Sequence, residues 1–247
     1  MQVIILAGGR GSRFLKLTDQ IPKPMIKIAE IPLIVHVMSI YTSRGYNKFL
    51  ICVGYLSKVI VNYFSQFRHG TEGIYGIYTH PLLGEIKLAF SDGGESSTTA
   101  RRLFILEKKL DDKFMLTYAD GIADIDLNGI ICSHLKNNCI ATISAVKVTD
   151  PFGSLVIAGD KVTSFLEKKE EHWINGGFML CDKSILHYID TSKMLEEYAF
   201  PLLASEGKLG VYKHEGFWQC VDNIHNKIEL ENLIREKGYI WLQHDNK

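Results

Sequence analysis

Features that would direct a chain to a membrane or to nucleic acid are absent from this sequence. No apolar run is long enough to span a bilayer, and the first residues show no basic region followed by a cleavage site. The 28 acidic and 28 basic residues cancel, so bulk electrostatics does not favour nucleic acid or a lipid surface as a partner. We therefore expect a cytoplasmic protein with no nucleic-acid or membrane partner.

The sequence also lacks the cysteine patterns of zinc sites and disulfide scaffolds. Its five cysteines are odd in number and scattered, most of them inside apolar stretches, with no C-x-x-C motif and no Cys/His cluster. We expect reduced, buried thiols. Internal repeats, low-complexity segments and linkers are missing too. With 247 residues, 46% of them apolar, the chain can bury a sizeable core, and we expect one domain over residues 1–247.

The most informative stretch lies at the N-terminus. Four apolar residues, 3–6, predict a fully buried strand, and a glycine-rich loop follows. Glycine lets the backbone turn and lets an anion approach the main chain, so a strand that runs into such a loop makes an anion cradle. Two prolines flank Lys23 and should keep its segment extended. We interpret the stretch as a polyphosphate site formed by Gly8, Gly9, Gly11, Ser12, Arg13 and Lys23.

Two familiar glycine motifs do not describe this loop. The dinucleotide fingerprint needs a third glycine that is missing here, and the P-loop pattern is not matched. A tight turn without a ligand would explain the glycines equally simply, and the residues alone leave that alternative open.

Apolar and amphipathic segments alternate after the loop. Residues 31–46 and 57–67 predict helices, the second capped by Ser57, with a buried strand at 48–55 between them. This order predicts an α/β fold with a doubly wound, mostly parallel sheet. Short strands are expected in the second half, including a hairpin around Gly159-Asp160. We also expect an irregular excursion with one or two short strands at 70–90, and helices at 97–110, 128–138, 193–206 and 223–237.

Two acidic residues stand where metal ligands could be placed. Asp120 follows the apolar run 114–118, at the C-terminal edge of a predicted strand, where open α/β sheets bind their ligands. Asp222 precedes the last predicted helix, so helix capping is its alternative role, as it is for Asp124 and Asp126. Mg²⁺ takes one or two carboxylates together with phosphate and water, which suits this pair.

The order L-A-G-G-x-G-S-R, with K-P further on, resembles the opening of the sugar-phosphate nucleotidyltransferases, which release pyrophosphate. Over residues 1–240 the chain is most similar to the members that use CTP and glucose 1-phosphate. The resemblance implies a Rossmann-like fold with a nucleotide-binding half at about 1–138 and an acceptor-binding half at about 139–240. It also implies Mg²⁺ as cofactor, and CTP and a small phosphorylated acceptor as substrates.

The resemblance assigns roles to individual residues. Arg13 and Lys23 would be catalytic, and Asp120 and Asp222 would hold Mg²⁺. The Q-x-x-P-x-G segment of thymidylyl- and uridylyltransferases is absent, and a Ser/Thr-rich segment stands in its place. The nucleotide would then be bound by Leu6, Ala7, Gly8, Gly9, Gly11, Ser12, Arg13, Lys23, Ser97, Thr99 and Arg102. The acceptor would be bound by Ala119, Glu167, Lys168, Asn175 and Gly176.

The sequence departs from the family pattern mainly around the acceptor. Ala119 replaces a glycine, Lys169 replaces a proline, and two glycines expected after Thr99 are Ala100 and Arg101. Taken without the resemblance, the charged run 167–171 is a solvated turn. Glucose 1-phosphate is the default acceptor. Another sugar phosphate, or a non-sugar phosphate such as phosphoglutamine, used in capsule modification, is the alternative.

A second class of function stays open, that of a non-catalytic nucleotide sensor on the same scaffold. Retention of both acids and both cations speaks against it. The nine histidines receive no catalytic role, because an acceptor phosphate is already ionised at neutral pH. The oligomeric state cannot be read from the residues, although relatives in the family are usually oligomers, which leaves a homo-oligomer open.

Overall fold

The computed structural model describes residues 1–11, 14, 20–149, 153–166 and 171–243. Within these ranges the strands are β1 (Gln2–Leu6), β2 (Lys27–Ile28), β3 (Ile31–Pro32), β4 (Lys48–Val53), β5 (Arg68–Glu72), β6 (Tyr75–His80), β7 (Gly84–Asp92), β8 (Lys113–Tyr118), β9 (Gly121–Ala123), β10 (Ala141–Thr149), β11 (Ser154–Ala158), β12 (Lys161–Leu166), β13 (Glu171–Asp182), β14 (Leu209–His214) and β15 (Trp218–Cys220). The α-helices are α1 (Leu33–Thr42), α2 (Ser57–Ser65), α3 (Thr99–Phe104), α4 (Leu127–Asn137), α5 (Phe200–Ser205) and α6 (Ile224–Lys237). None of these helices is long and apolar enough to cross a membrane.

The central sheet has the order β14-β10-β13-β8-β1-β4-β7-β6-β5. The four middle strands β8, β1, β4 and β7 are parallel to their neighbours in that group. Only β13 and β6, among the described strands of this sheet, run against the common direction. The predicted α/β fold with a mostly parallel sheet is confirmed.

The two faces of the sheet carry separate hydrophobic cores. Successive side chains of a strand point to opposite faces, and in β1 all five residues are buried. Val3 and Ile5 belong to a core shared with α1, α2, α4 and α6, whereas Ile4 and Leu6 belong to one shared with α3 and α5. Burial on both faces explains why this strand has an uninterrupted apolar sequence. Helices on both faces make the fold doubly wound.

Several predicted elements have different boundaries in the structure. The excursion predicted at 70–90 with one or two short strands is more regular than expected, because β5, β6 and β7 form an antiparallel meander at the sheet edge. Pairing with β7 overrides the weak local strand preference of a polar, glycine-rich stretch. Ser57 does not cap α2, since the cap position is Leu56, which has a left-handed backbone. The helix predicted at 193–206 begins as one π-helical turn, Leu195–Ala199, and continues as α5.

Other elements agree more closely. The hairpin around Gly159-Asp160 is formed by β11 and β12, and Gly159 has the positive φ that the turn requires. The helix predicted at 97–110 is shorter, because Thr98 caps α3 at its start and a 3-10 turn, Glu107–Lys109, follows it. The last predicted helix corresponds to α6.

Candidate active site

The glycine-rich loop leaves the C-terminal end of β1 and is tied to two other segments. The main-chain nitrogen of Tyr55 and the Nη2 atom of Arg102 donate to the carbonyl of Gly8, at 3.2 and 2.9 Å. A Cβ on Gly8 would lie 2.3 Å from Nε of Arg102, so the buried guanidinium requires glycine there. Gly11 has a φ of +60°. The loop therefore has a defined path, with Gly9 exposed.

The Lys23 segment differs from the extended conformation that the flanking prolines predict. Pro22 is extended, with φ −65° and ψ 146°, but Lys23–Met25 forms a 3-10 turn. The fixed φ of Pro24 is compatible with that turn, because 3-10 and extended backbones share it. The result is a rigid bend that buries Lys23, leaving 8% of the residue exposed.

The ammonium group of Lys23 lies between two carboxylates. Its Nζ donates to Oδ2 of Asp120 at 2.8 Å and also donates to Oδ1 of Asp222. Burial alone would lower the pKa of Lys23, but the charge of Asp120 and hydrogen bonds to both acids outweigh it and raise the pKa above its ordinary value. The three groups form a charged cluster in which Lys23 stays protonated.

A short strand pair brings the two acids together from opposite parts of the chain. Asp120 lies just beyond β8, and β9 after it pairs with β15, which places Gly121 opposite Cys220. The main-chain nitrogen of Val221 then donates to the carbonyl of Asp120 at 2.9 Å. Asp222 follows directly, so its position beside Asp120 is set by backbone hydrogen bonds.

Helix capping does not explain Asp222. The cap residue of α6 is Asn223, whose side chain accepts from the main-chain nitrogen of Asn226 at 2.9 Å. The carboxylate of Asp222 faces Lys23 instead. The position thus belongs to the charged cluster.

A cavity of about 350 Å³ opens on one side of this cluster. Its walls come from the glycine-rich loop, the Lys23 turn, the end of β8 and the start of α3. Eleven of the residues assigned to ligands from sequence line it: Leu6, Ala7, Gly8, Gly9, Gly11, Lys23, Thr99, Arg102, Ala119, Asp120 and Asp222. Ala119, expected at the acceptor, lies on this wall.

A second cavity, of about 270 Å³, lies on the other side and shares Tyr118, Asp120 and Asp222 with the first. It contains both remaining acceptor residues that the structure describes, Asn175 and Gly176. Gly177, in β13, has a φ of +84°, and its main-chain nitrogen donates to Oδ1 of Asn175 at 2.9 Å. The two cavities meet at the charged cluster.

The sequence interpretation missed Tyr118 and Met194, which line the far wall of the first cavity, and Glu196, which is bonded to two lining residues there. The carboxylate of Glu196 accepts from Oη of Tyr118 and from Oγ1 of Thr99, the latter at 3.0 Å. Met194 completes the wall. Burial, reinforced by the Glu196 charge, raises the pKa of Tyr118, which keeps its hydroxyl protonated as a donor. Tyr118 could have been suspected as the residue ending the strand before Asp120, but no pattern marks Met194 or Glu196.

The Ser/Thr-rich segment is only partly directed at the cavity. Thr99 lines it, whereas Ser97 does not, and the Ser97 hydroxyl is buried without a hydrogen-bond partner among the described residues. Arg102 is 4% exposed and uses Nη2 on the carbonyls of Gly8 and Gly94. Its guanidinium shapes the cavity by holding two loops together.

Four of the assigned residues lie outside the described part of the chain. These are Ser12 and Arg13 of the glycine-rich loop and Glu167 and Lys168 of the acceptor segment. Lys169, one of the departures from the family pattern, lies outside it as well.

The charged cluster has donor atoms suited to a divalent cation. One oxygen each of Asp120 and Asp222 and the sulfur of Cys220 lie within 4.8 Å of one another. Both carboxylates have 31% of their side-chain surface exposed, and both are bonded to a cation already, that of Lys23. Two adjoining, partly exposed carboxylates fit an ion that prefers oxygen ligands.

The fold and this pair of cavities place the chain among the α/β enzymes that bind nucleotides at the carboxyl ends of parallel strands. A sequence profile described as nucleotidyl transferase matches residues 2–235. The chain belongs to the nucleotidyl transferase family and is an enzyme of that kind.

Curated relatives match over nearly their full length. The chain is 35% identical to a glucose-1-phosphate cytidylyltransferase of Salmonella typhimurium, over 96% of this chain and 97% of that protein. It is 31% identical to a probable glucose-1-phosphate cytidylyltransferase of Bacillus subtilis, over 98% of this chain and 99% of the other.

The fold is shared with solved structures of lower sequence identity. HddC from Yersinia pseudotuberculosis has a TM-score of 0.71 at 22% identity, with 94% of this chain and 98% of that chain covered. A putative glucose-1-phosphate thymidylyltransferase from Bacillus anthracis also has a TM-score of 0.71, at 20% identity, with 96% of each chain covered. These likenesses support the Rossmann-like fold.

Proposed function

We propose that this enzyme is a Mg²⁺-dependent cytidylyltransferase that joins the CMP part of CTP to a small phosphorylated acceptor, with glucose 1-phosphate as the default. The observation that carries the proposal is the Asp120–Lys23–Asp222 cluster, which lies where the two cavities meet. Transfer between two phosphates needs positive charge at their meeting point. The names of the two relatives described above favour cytidine and glucose 1-phosphate.

The first cavity would hold the nucleoside triphosphate. Its glycine-rich loop, at the end of a parallel strand, offers main-chain N–H groups to phosphate oxygens. Gly9 leaves that approach open, since it is exposed and no atom lies within 4 Å of its Cβ position. We assign Arg13, by family resemblance, to the pyrophosphate that leaves.

Lys23 would act on the reacting phosphates. Its ammonium lines the first cavity and is bonded to the two acids that line both cavities, so we assign it to the α-phosphate and to the acceptor phosphate that meets it. Its burial makes that charge effective, because little water screens it. Asp120 and Asp222 would hold Mg²⁺. When bound there, Mg²⁺ supplies neutralisation of the phosphate charge and alignment for in-line displacement.

The second cavity would hold the acceptor. Asn175 and Gly176 line it. The indole nitrogen of Trp218 donates to the carbonyl of Gly176 at 2.8 Å, which fixes the main chain of β13 at this point. We assign Glu167 and Lys168 to the acceptor hydroxyl and phosphate by resemblance. No side chain is needed as a general base, because the attacking phosphate oxygen is already ionised.

Cytosine recognition is assigned to the wall at the start of α3. Thr99 lies on it and is fixed by Glu196 and by the main-chain nitrogen of Leu195, which donates to Oγ1 at 2.9 Å. A fixed hydroxyl can distinguish the hydrogen-bonding edge of one base from another. Arg102 would contribute by holding the loops around the nucleotide.

The test is a coupled pyrophosphate assay of CTP, UTP, GTP and ATP against phosphorylated acceptors. The acceptors should include glucose 1-phosphate, other sugar 1-phosphates and phosphoglutamine. We expect pyrophosphate only with Mg²⁺ and an acceptor, and a preference for CTP over UTP of about 10²-fold, the scale for a mispaired polar site. Equal use of UTP would overturn the cytosine assignment. CTP binding without turnover of any acceptor would favour a nucleotide sensor.

A further inference from the structure

The charged cluster contains a third donor that the proposed Mg²⁺ site does not use. Cys220 lies in β15, two residues before Asp222, and its sulfur is within 4.8 Å of a carboxylate oxygen of Asp222 and one of Asp120. In extended chain, residues two apart face the same side, which places Cys220 and Asp222 together. Cys220 is partly exposed and lines the second cavity.

The chemistry of these donors is mixed. Carboxylates suit hard ions such as Mg²⁺, whereas a thiolate is a soft ligand that selects Zn²⁺ and similar ions and contributes nothing to Mg²⁺. A site with two oxygens and one sulfur therefore discriminates between the two kinds of ion. Bond lengths around Zn²⁺ are about 2.3 Å to sulfur and about 2.0–2.2 Å to oxygen. The donors lie within 4.8 Å of one another, so a small closing movement brings all three onto one ion.

We propose that Asp120, Cys220 and Asp222 form a binding site for a thiophilic divalent cation, Zn²⁺ above all, in competition with Mg²⁺. The inference rests on the proposed assignment of the two acids to a metal. Coordination replaces the thiol proton, which leaves to solvent, and forms a metal–sulfur bond. An ion that takes the carboxylate oxygens bonded by Lys23 also displaces its ammonium.

The consequence is inhibition by Zn²⁺ at the reaction centre. A sulfur ligand holds the ion on the protein, on the side of the second cavity, and occupies the oxygens that Mg²⁺ needs. Cys220 thus makes the enzyme sensitive to zinc without taking part in nucleotidyl transfer.

Co²⁺ is the probe that reports the sulfur directly, because a cobalt–thiolate bond absorbs in the near ultraviolet through charge transfer. The experiment titrates CoCl₂ into the full-length protein and its Cys220→Ser variant, without nucleotide. Cys132→Ser is the matched control, since Cys132 is an exposed thiol in α4 that lines neither cavity. Asp222→Asn tests whether the sulfur and the acid hold the same ion.

We expect the charge-transfer band in the wild type and in Cys132→Ser, its loss in Cys220→Ser, and its weakening in Asp222→Asn. Added Zn²⁺ should abolish the band. The zinc concentration for half-inhibition of the Mg²⁺-dependent reaction should rise at least about 10-fold in Cys220→Ser, because even outer-shell changes cost that much in metal affinity.

A wild-type protein without the band, or a band that persists in Cys220→Ser, would overturn the inference. So would a band unaffected by Asp222→Asn, which would place the ion elsewhere. Circular dichroism of each variant separates a lost site from a lost fold. If no Co²⁺–thiolate band forms but Mg²⁺ still supports pyrophosphate release from CTP, this inference fails and the proposed function stands.

Discussion

The cluster of Lys23, Asp120 and Asp222, called here the junction, and the far wall of the first cavity are built in different ways. At the junction, each side chain lies next to a strand end or a rigid turn, and the β9–β15 ladder brings the acids together. The far wall depends more on side chains: Glu196 bridges Tyr118 and Thr99, and the main-chain nitrogen of Leu195 also donates to Thr99. At the junction Lys23 is buried and both acids are partly buried, whereas Glu196 is exposed.

This difference suggests a division of labour. Backbone hydrogen bonds hold the junction in place, as chemistry at a phosphorus atom needs accurately placed charges. A wall whose bridging residue, Glu196, is exposed is easier to change without disturbing the fold. We therefore expect changes at the junction to affect rate strongly and changes at the far wall to affect nucleotide preference and KM modestly.

The largest effect is expected from the two acids. Asp120→Ala or Asp222→Ala should each lower kcat on the order of 10³-fold or more, because either change removes a metal ligand at the reacting phosphates. The double variant should be little worse than either single variant. Rates of pyrophosphate release, with Asp126→Ala as a control outside both cavities, measure this. Near-normal turnover in Asp222→Ala would remove that residue from the junction.

The second largest loss of activity is expected from Lys23→Met. It removes the cation that faces both phosphates, and we expect a loss of about 10²–10³-fold in kcat/KM, as for other single donors to a transition state. Lys27→Met is the control, since Lys27 pairs only with exposed Glu30 among the described residues. Equal losses in both variants would contradict a special role for Lys23.

The same lysine gives a pH prediction. The pKa of Lys23 is raised in the folded protein, so its pairing stabilises the fold fully below its unfolded value of 10.5 and the contribution is lost as pH rises through the folded value. Urea unfolding above that pH should show an alkaline loss of stability that Lys23→Met lacks. If Lys23→Met loses the same amount of stability at alkaline pH, other titrating groups cause that loss.

A smaller effect should come from the loop that leads from β1. A Cβ on Gly8 would meet the Arg102 guanidinium at 2.3 Å, so Gly8→Ala must displace a buried, hydrogen-bonded side chain. We expect a cost of roughly 1–3 kcal/mol in the free energy of unfolding. Gly9→Ala is the matched control, because no atom lies within 4 Å of its Cβ position. If thermal unfolding ranks the two variants in the opposite order, the packing of the Arg102 guanidinium on Gly8 does not stabilise the loop.

The smallest effect is expected at the far wall. Glu196→Gln weakens its bonds to Tyr118 and Thr99, and we expect the KM for CTP to rise about fivefold, roughly 1 kcal/mol for one exposed charged hydrogen bond. The kcat should change little. Tyr118→Phe should have a similar effect, and the double variant should be less than additive because both changes break one contact. Additive losses would mean that the two residues act separately.

The same contrast explains how much of the site could be predicted from sequence. Asp120 was predictable because an apolar run ending in an acid marks the ligand-binding edge of a sheet, and the loop was predictable from its glycines. Glu196 was not, since it meets Thr99 across 97 residues of chain and lies in a π-helical turn with no sequence signature.

The fold shows the same limit. The strands β1, β4 and β8 were predictable from their buried apolar runs, and the hairpin from Gly159-Asp160. The meander of β5, β6 and β7 was not, because its strands are stabilised by pairing with one another more than by their own composition. The bend at Lys23 was missed because proline permits both an extended and a 3-10 backbone.

The central claim is that one divalent cation is held by both acids at the junction and is required for transfer. The most direct measurement is isothermal titration of Mg²⁺, in the presence of a non-hydrolysable CTP analogue, into the wild type, Asp120→Asn and Asp222→Asn, with Asp126→Asn as control. We expect one Mg²⁺ site in the wild type and the control, and its loss in both junction variants. Unchanged Mg²⁺ binding in either junction variant would contradict it.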